Sequence, residues 1–144
     1  EMPAAGIAAL HLSGGEPLLY PDTVCQLIED ARAVGVSRIS LNTNGFWASS
    51  ERAAAHMLGR LSQAGLFQGS EDFIKVSTGA FHTEFVPFEN IRVLALAHRA
   101  VASRALRVDV ADGSEPSSAD ALRRIVDRVG LDAMTVEWRN VLPI

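Results

Sequence analysis

The chain has 144 residues, with 17 acidic against 13 basic side chains and a formal net charge of -4. No like-charged run suggests a phosphate-binding stripe, which argues against nucleic acid or a membrane surface as partner. The length suits one domain, 1–144, with a single core, and is short of a complete eight-unit barrel. No apolar run reaches the roughly 18 residues of a membrane span, and no secretory pattern opens the chain, so the expectation is a cytoplasmic protein with no membrane partner. The one cysteine, Cys25, excludes a disulfide framework or a cysteine-built metal site within these residues.

Strands and helices alternate at a spacing of roughly thirty residues, the size of a βα unit. An apolar run over 7–12 predicts the first strand. It ends in Ser13-Gly14-Gly15-Glu16-Pro17, where two adjacent glycines ask for positive φ or for a ligand close to the main chain. The first helix is predicted from Pro21 to Gly35, with Val24, Leu27, Ile28, Ala31 and Val34 on one face. A second strand over 38–42 leads into Asn42-Thr43-Asn44-Gly45. The second helix opens at Ser49 or Ser50, carries Ala54, Leu58 and Leu61, and closes at Gly65. After a third strand over 73–77 comes a loop holding Phe81-His82-Thr83-Glu84, then a helix from Pro87 that presents Ile91, Leu94, Ala95 and Val101. A fourth strand over 106–110 precedes a fourth helix, with Ser117 and Asp120 as a variant capping box and Leu122, Ile125, Val126 and Val129 before Gly130. The fifth strand is predicted over 134–138.

Strand–helix–strand connections of this length make a parallel sheet with right-handed crossovers. In a doubly wound fold both sheet faces are buried and the strands read as continuous apolar runs. These strands alternate instead. One face carries Leu10, Leu12, Ile39, Leu41, Ile74, Val76, Val108 and Val110, and the other His11, Ser40, Asn42, Lys75, Ser77, Arg107, Asp109, Glu137 and Arg139. The predicted fold is therefore α/β, a partial barrel of about five parallel strands with helices on the outer face and a polar lumen. The alternative is a sheet whose second face meets solvent.

Chemistry in parallel α/β proteins collects at the carboxyl ends of the strands. Five polar clusters fall there: the Ser13 to Pro17 loop, Asn42 to Gly45, the loop from Ser77 to Pro87, Asp109, and Glu137 with Arg139 and Asn140. Each has an ordinary structural use. Asn44-Gly45 is a common turn dipeptide, and His82 beside Glu84 reads as an exposed loop pair. Their joint placement on one rim is what points to a site.

The block Leu12-Ser13-Gly14-Gly15-Glu16-Pro17-Leu18-Leu19, with Leu41-Asn42-Thr43-Asn44-Gly45 one βα unit later, resembles the radical S-adenosylmethionine (SAM) superfamily. The first block matches its SGGEP motif and the second its TNG element. The resemblance implies a six-stranded partial barrel. It assigns Gly14, Gly15, Glu16 and Pro17 to the amino group of SAM, Asn42 and Asn44 to the cavity beside the ligand, and Ser77 to its carboxylate or ribose. An ammonium group needs acceptors, and carbonyls beside a carboxylate supply them.

The same resemblance expects a CxxxCxxC loop whose thiolates ligate a four-iron, four-sulfur cluster. Cys25 cannot supply it. The expectation is thus a fragment, since the chain opens at Glu1 rather than Met, of an enzyme that cleaves SAM reductively to a 5′-deoxyadenosyl radical and abstracts hydrogen from an unidentified substrate. A degenerate, noncatalytic binding or interaction module on the same barrel is the alternative. Thr78-Gly79 stands where many members place an acidic residue after the serine, a second departure, on the substrate side. A lost upstream unit would also leave the edge from Ile7 to Leu12 open to self-association.

Overall fold

The computed structural model describes residues 6–79, 84–111, 127 and 136–141. Five strands, β1 (Ala9–Leu12), β2 (Arg38–Thr43), β3 (Phe73–Gly79), β4 (Leu106–Ala111) and β5 (Val136–Val141), form one all-parallel sheet in sequential order. Helices α1 (Pro21–Ala33), α2 (Glu51–Ala64) and α3 (Phe88–His98) connect the first four. The class is α/β. The predicted fourth helix lies outside the described residues, as do Met134 and Thr135 of the predicted fifth strand. Among the described residues, no helix is long and apolar enough to cross a membrane.

Local chemistry explains the helix ends. Pro21 sits in the first turn of α1, where its missing N–H costs nothing, and Asp22 and Arg32 complement the two ends of the helix dipole. Ser50 caps α2 by accepting from Ala53 N at 3.2 Å, and Gly65 closes the helix at φ 116°. Pro87 caps α3.

Sequential order with right-handed crossovers puts consecutive helices on one face of the sheet. The core shows that face: Ile39, Leu41, Ile74, Val76, Leu106, Val108, Val110 and Val136 pack with Val24 and Ile28 of α1, Leu58 and Leu61 of α2, and Ile91 and Leu94 of α3. The opposite face carries the polar alternates, half-buried at Asn42, Lys75, Ser77, Arg107 and Asp109 and exposed at His11, Glu137 and Arg139. The alternation read from the strands is the one the fold uses.

A charged tie holds the amino-terminal end of the sheet. Asp72, fully buried at its side chain, pairs with Arg32 and accepts from Ile39 N at 2.7 Å and Gly69 N at 2.9 Å. Arg32 also donates to Val36 O at 2.7 Å and Gly65 O at 3.0 Å, so one guanidinium joins the ends of α1 and α2 to the start of β3. Removing one partner of such a pair leaves a buried charge unmatched. Gly69 is obligatory here, because a Cβ would lie 2.4 Å from Ser37 O.

Three expectations need correction. Leu27 and Val34 were assigned to the buried face of α1 but are 45% and 78% exposed, while Val24, Ile28 and Ala31 are buried. The inner stripe is narrower than the apolar pattern, because α1 covers the edge of the sheet and its flank away from α2 meets no other described element. Val101 lies beyond α3, which ends at His98. The strand bounds also shift: β1 begins at Ala9 rather than Ile7, while β3 continues to Gly79 and β5 to Val141.

Candidate functional site

The two loops that carry the sequence blocks are bound together by one carboxylate. Glu16 caps a short 3-10 turn, Pro17–Leu19, with Oε1 accepting from Leu18 N at 3.1 Å. The same oxygen accepts from Thr43 Oγ1 at 2.8 Å, and Oε2 from Asn44 N at 2.6 Å. A carboxylate offers about four acceptor positions. Three are taken by the protein itself.

Thr43 is the second node. Its hydroxyl donates to Glu16 and accepts from Trp47 Nε1 at 2.9 Å and Gly45 N at 3.2 Å, which uses one donor and two lone pairs completely. Asn44 Oδ1 accepts from Phe46 N at 2.9 Å, an Asx turn. Asn90, buried in the first turn of α3, donates through Nδ2 to Gly45 O and Phe46 O, each at 3.2 Å. Loops one and two and the start of α3 are therefore one hydrogen-bonded rim.

Gly14 and Gly15 adopt φ 96° and 55°, and a Cβ at either would meet nothing within 4 Å. Backbone conformation, not crowding, requires glycine at both, and the space beside them is open. Their carbonyls accept no hydrogen bond from any described residue. Pro17 fixes the exit of the loop as the first residue of the turn.

Asn42 lies on the polar face and donates through Nδ2 to Ser13 Oγ at 3.1 Å. One turn of the pleat below, His11 Nδ1 and Ser40 Oγ are 2.7 Å apart. Ser77 stands on β3 beside Asp109 of β4, half-buried, and Lys75 Nζ lies 3.1 Å from Asp109 Oδ2. Thus Glu16, Asn44 and the glycine loop meet at the rim, whereas Asn42 and Ser77 lie on the sheet face beneath it, one strand apart. His82 and Thr83 lie outside the described residues.

The sequence reading missed Thr43, Trp47 and Asn90 as members of the site. Thr43 had a visible signal, as the center of the Asn42-Thr43-Asn44 block. Asn90 had a fainter one, an amide two residues into a helix face otherwise read as apolar. Trp47 was hidden by its apolar body, because only the indole N–H takes part.

Among the described residues, no three His, Cys, Asp or Glu side chains come together as a metal-binding group. Cys25 is a free, half-buried thiol on α1 whose pKa is raised, chiefly by burial. These residues do not fit an iron–sulfur cluster. The Gly14 and Gly15 carbonyls, which accept from no described residue, are of the acceptor type that an ammonium group needs. No protein family matches the chain, and no curated protein matches it.

Proposed function

We propose that the chain is the SAM-binding part of a radical SAM enzyme, with the sheet curving into a partial barrel whose polar face lines the lumen. The observation that carries this reading is the rim itself. The two sequence blocks of the resemblance are joined by Glu16, Thr43 and Asn44, and the carbonyls of Gly14 and Gly15 accept from no described residue.

In this reading the methionine ammonium of SAM donates to the Gly14 and Gly15 carbonyls, and the one unused acceptor position of Glu16 lies at the same loop. Glu16 acts mainly through the main chain that it positions. Asn42 and Ser77, below the rim, face the remainder of the cofactor. Gly14, Gly15, Asn42 and Ser77 would hold SAM, which in the complete enzyme would supply radical chemistry toward a substrate on the polar face. The cluster ligands come from outside these 144 residues, since Cys25 is the one cysteine within them.

The single cysteine also favours a second reading, a noncatalytic module that keeps the barrel and binds a ligand without cleaving it. The two are separated by the coding sequence around this segment and by reconstitution with iron and sulfide. A CxxxCxxC loop with a four-iron, four-sulfur signal in electron paramagnetic resonance supports the enzyme, and its absence from the native protein overturns it. Calorimetry on the 144-residue chain should find SAM bound only weakly. Micromolar or tighter affinity without a cluster contradicts the enzyme reading and favours the module.

A further inference from the structure

The polar face of the sheet has a charge pattern that does not close on itself. Lys75 pairs with Asp109 Oδ2 at 3.1 Å, and Arg107 pairs with Glu137 at 3.2 Å while lying 4.0 Å over the Phe73 ring. Arg139 is left over. Register places it directly beside Asp109, yet it makes no ion pair with any described residue. Two acceptors on the same face are left over as well: Asp109 Oδ1 and Asn42 Oδ1 are buried and receive no hydrogen bond. A buried acceptor without a donor is unfavourable, and native proteins hold few of them.

These three groups sit in a defined arrangement. Asn42 is the register partner of Lys75, Asp109 that of Ser77, and Arg139 that of Asp109. Asp109 and Arg139 are therefore one strand spacing apart, about 5 Å, while Asn42 lies two strands away on the other side of β3 and two residues nearer the strand starts, roughly 12 Å from Asp109. A free cation beside an unfilled carboxylate oxygen matches a group that carries an anion and a cation on one carbon. A second acceptor two strands away matches a further N–H or O–H at the end of a short chain.

We propose that this face binds an amino-acid-like zwitterion with a hydrogen-bond donor on its side chain. The α-carboxylate takes the Arg139 fork, the α-ammonium donates to Asp109 Oδ1, and the side-chain donor reaches Asn42 Oδ1. The partly exposed Lys75 side chain swings aside to admit the ammonium. A ligand with only one of the two charges leaves either Arg139 or Asp109 unmatched. The inference rests on the polar face being the substrate side, and it names the substrate class for it.

The test is a titration of the isotopically labelled 144-residue chain, followed by amide resonances, with L-glutamine, its decarboxylated analogue 4-aminobutanamide and its deaminated analogue glutaramate as probes. L-glutamine is expected to shift the Asn42 side-chain amide and the amides of Asp109 and Arg139, with each analogue at least tenfold weaker. Arg139→Gln, at an exposed position where folding is not at stake, should abolish the preference over 4-aminobutanamide. Asp109→Asn should abolish the preference over glutaramate. Equal binding of the three probes, no shift at these residues, or discrimination unchanged in Arg139→Gln overturns the proposal. SAM added to the same samples reports through Gly14 and Gly15 and this site through Asp109 and Arg139, with Asn42 common to both, so failure of the cofactor site and failure of this one are read from the resonances that are not shared.

Discussion

Glu16 and Thr43 each make three hydrogen bonds of the rim, and removing the Glu16 carboxylate tests the bracing directly. Glu16→Ala strips the acceptor from Leu18 N, Asn44 N and the Thr43 hydroxyl. Part-buried donors left without partners should lower stability by roughly 2–3 kcal/mol in urea unfolding. Glu16→Gln, which keeps one carbonyl oxygen, should lose less. Equal stability of wild type and Glu16→Ala would show that the network does not brace the loops. His98 poses a different problem, because its ring is buried edge-on to Phe67, centroids 5.2 Å apart, with neither nitrogen hydrogen-bonded. Burial pushes its pKa down from 6.5 to about 4. Above pH 6.5 both folded and unfolded chains hold it neutral. Between 6.5 and about 4 only the unfolded chain takes up the proton, so stability falls as pH falls, by about 3 kcal/mol across that window, and then levels off. His98→Phe should flatten this part of the pH dependence of unfolding.

At the scale of the element, α1 shows how an apolar pattern can overstate burial. Ile28 has no accessible surface, whereas Leu27, its neighbour in sequence, is 45% exposed. Ile28→Ala should cost roughly 2–5 kcal/mol through the lost contacts and the cavity left behind, and Leu27→Ala should stay within about 0.5 kcal/mol. Denaturant midpoints of the two variants decide it, and equal losses would mean that the outer flank is covered in solution. The helix was legible from Pro21, the 3.6-residue spacing and Gly35, all local signals. Which residues on it are buried was not, because that depends on there being no further described strand or helix beyond β1.

At the scale of the whole molecule, that open flank is the least finished part of the fold. β1 is one of the two edge strands of the described sheet. Ala8 O faces β2, accepting from Ser37 N and Arg38 N, so strand alternation turns the N–H and C=O groups of Ala9 and His11 outward. Ile7, Leu19, Tyr20, Leu27 and Val34 are all exposed around it, an apolar margin beside unpaired backbone groups. The 144-residue chain is expected to self-associate through this edge, in a two-fold contact that buries it on both copies. Light scattering across a concentration series should show the association, and Ala9→Pro, which removes an outward N–H without touching the ladder to β2, should weaken it at unchanged stability. A monomer at every concentration, with rapidly exchanging amides at Ala9 and His11, counts against it.

What the amino-acid sequence determined by itself was whatever depends on neighbours in the chain. Alternation within each strand fixed which face of the sheet would be apolar, and Pro21, Ser50, Gly65 and Pro87 marked helix ends, since caps and turns are made by groups a few residues apart. The two glycines in Ser13-Gly14-Gly15-Glu16 announced positive φ for the same reason, and the structure has it at both. Two of the three partners of Glu16 were beyond that reach. They lie 27 and 28 residues away, and only the parallel pairing of β1 with β2 brings Thr43 and Asn44 under its carboxylate. The same holds for Asn90, which meets Gly45 and Phe46 across more than forty residues. Tertiary structure decided these contacts, and it also decided which polar atoms on the sheet found partners among the described residues and which, at Asn42 Oδ1, Asp109 Oδ1 and the Arg139 guanidinium, did not. Hydrogen bonds and ion pairs are short-ranged and directional, so their presence depends on distances that no linear spacing encodes.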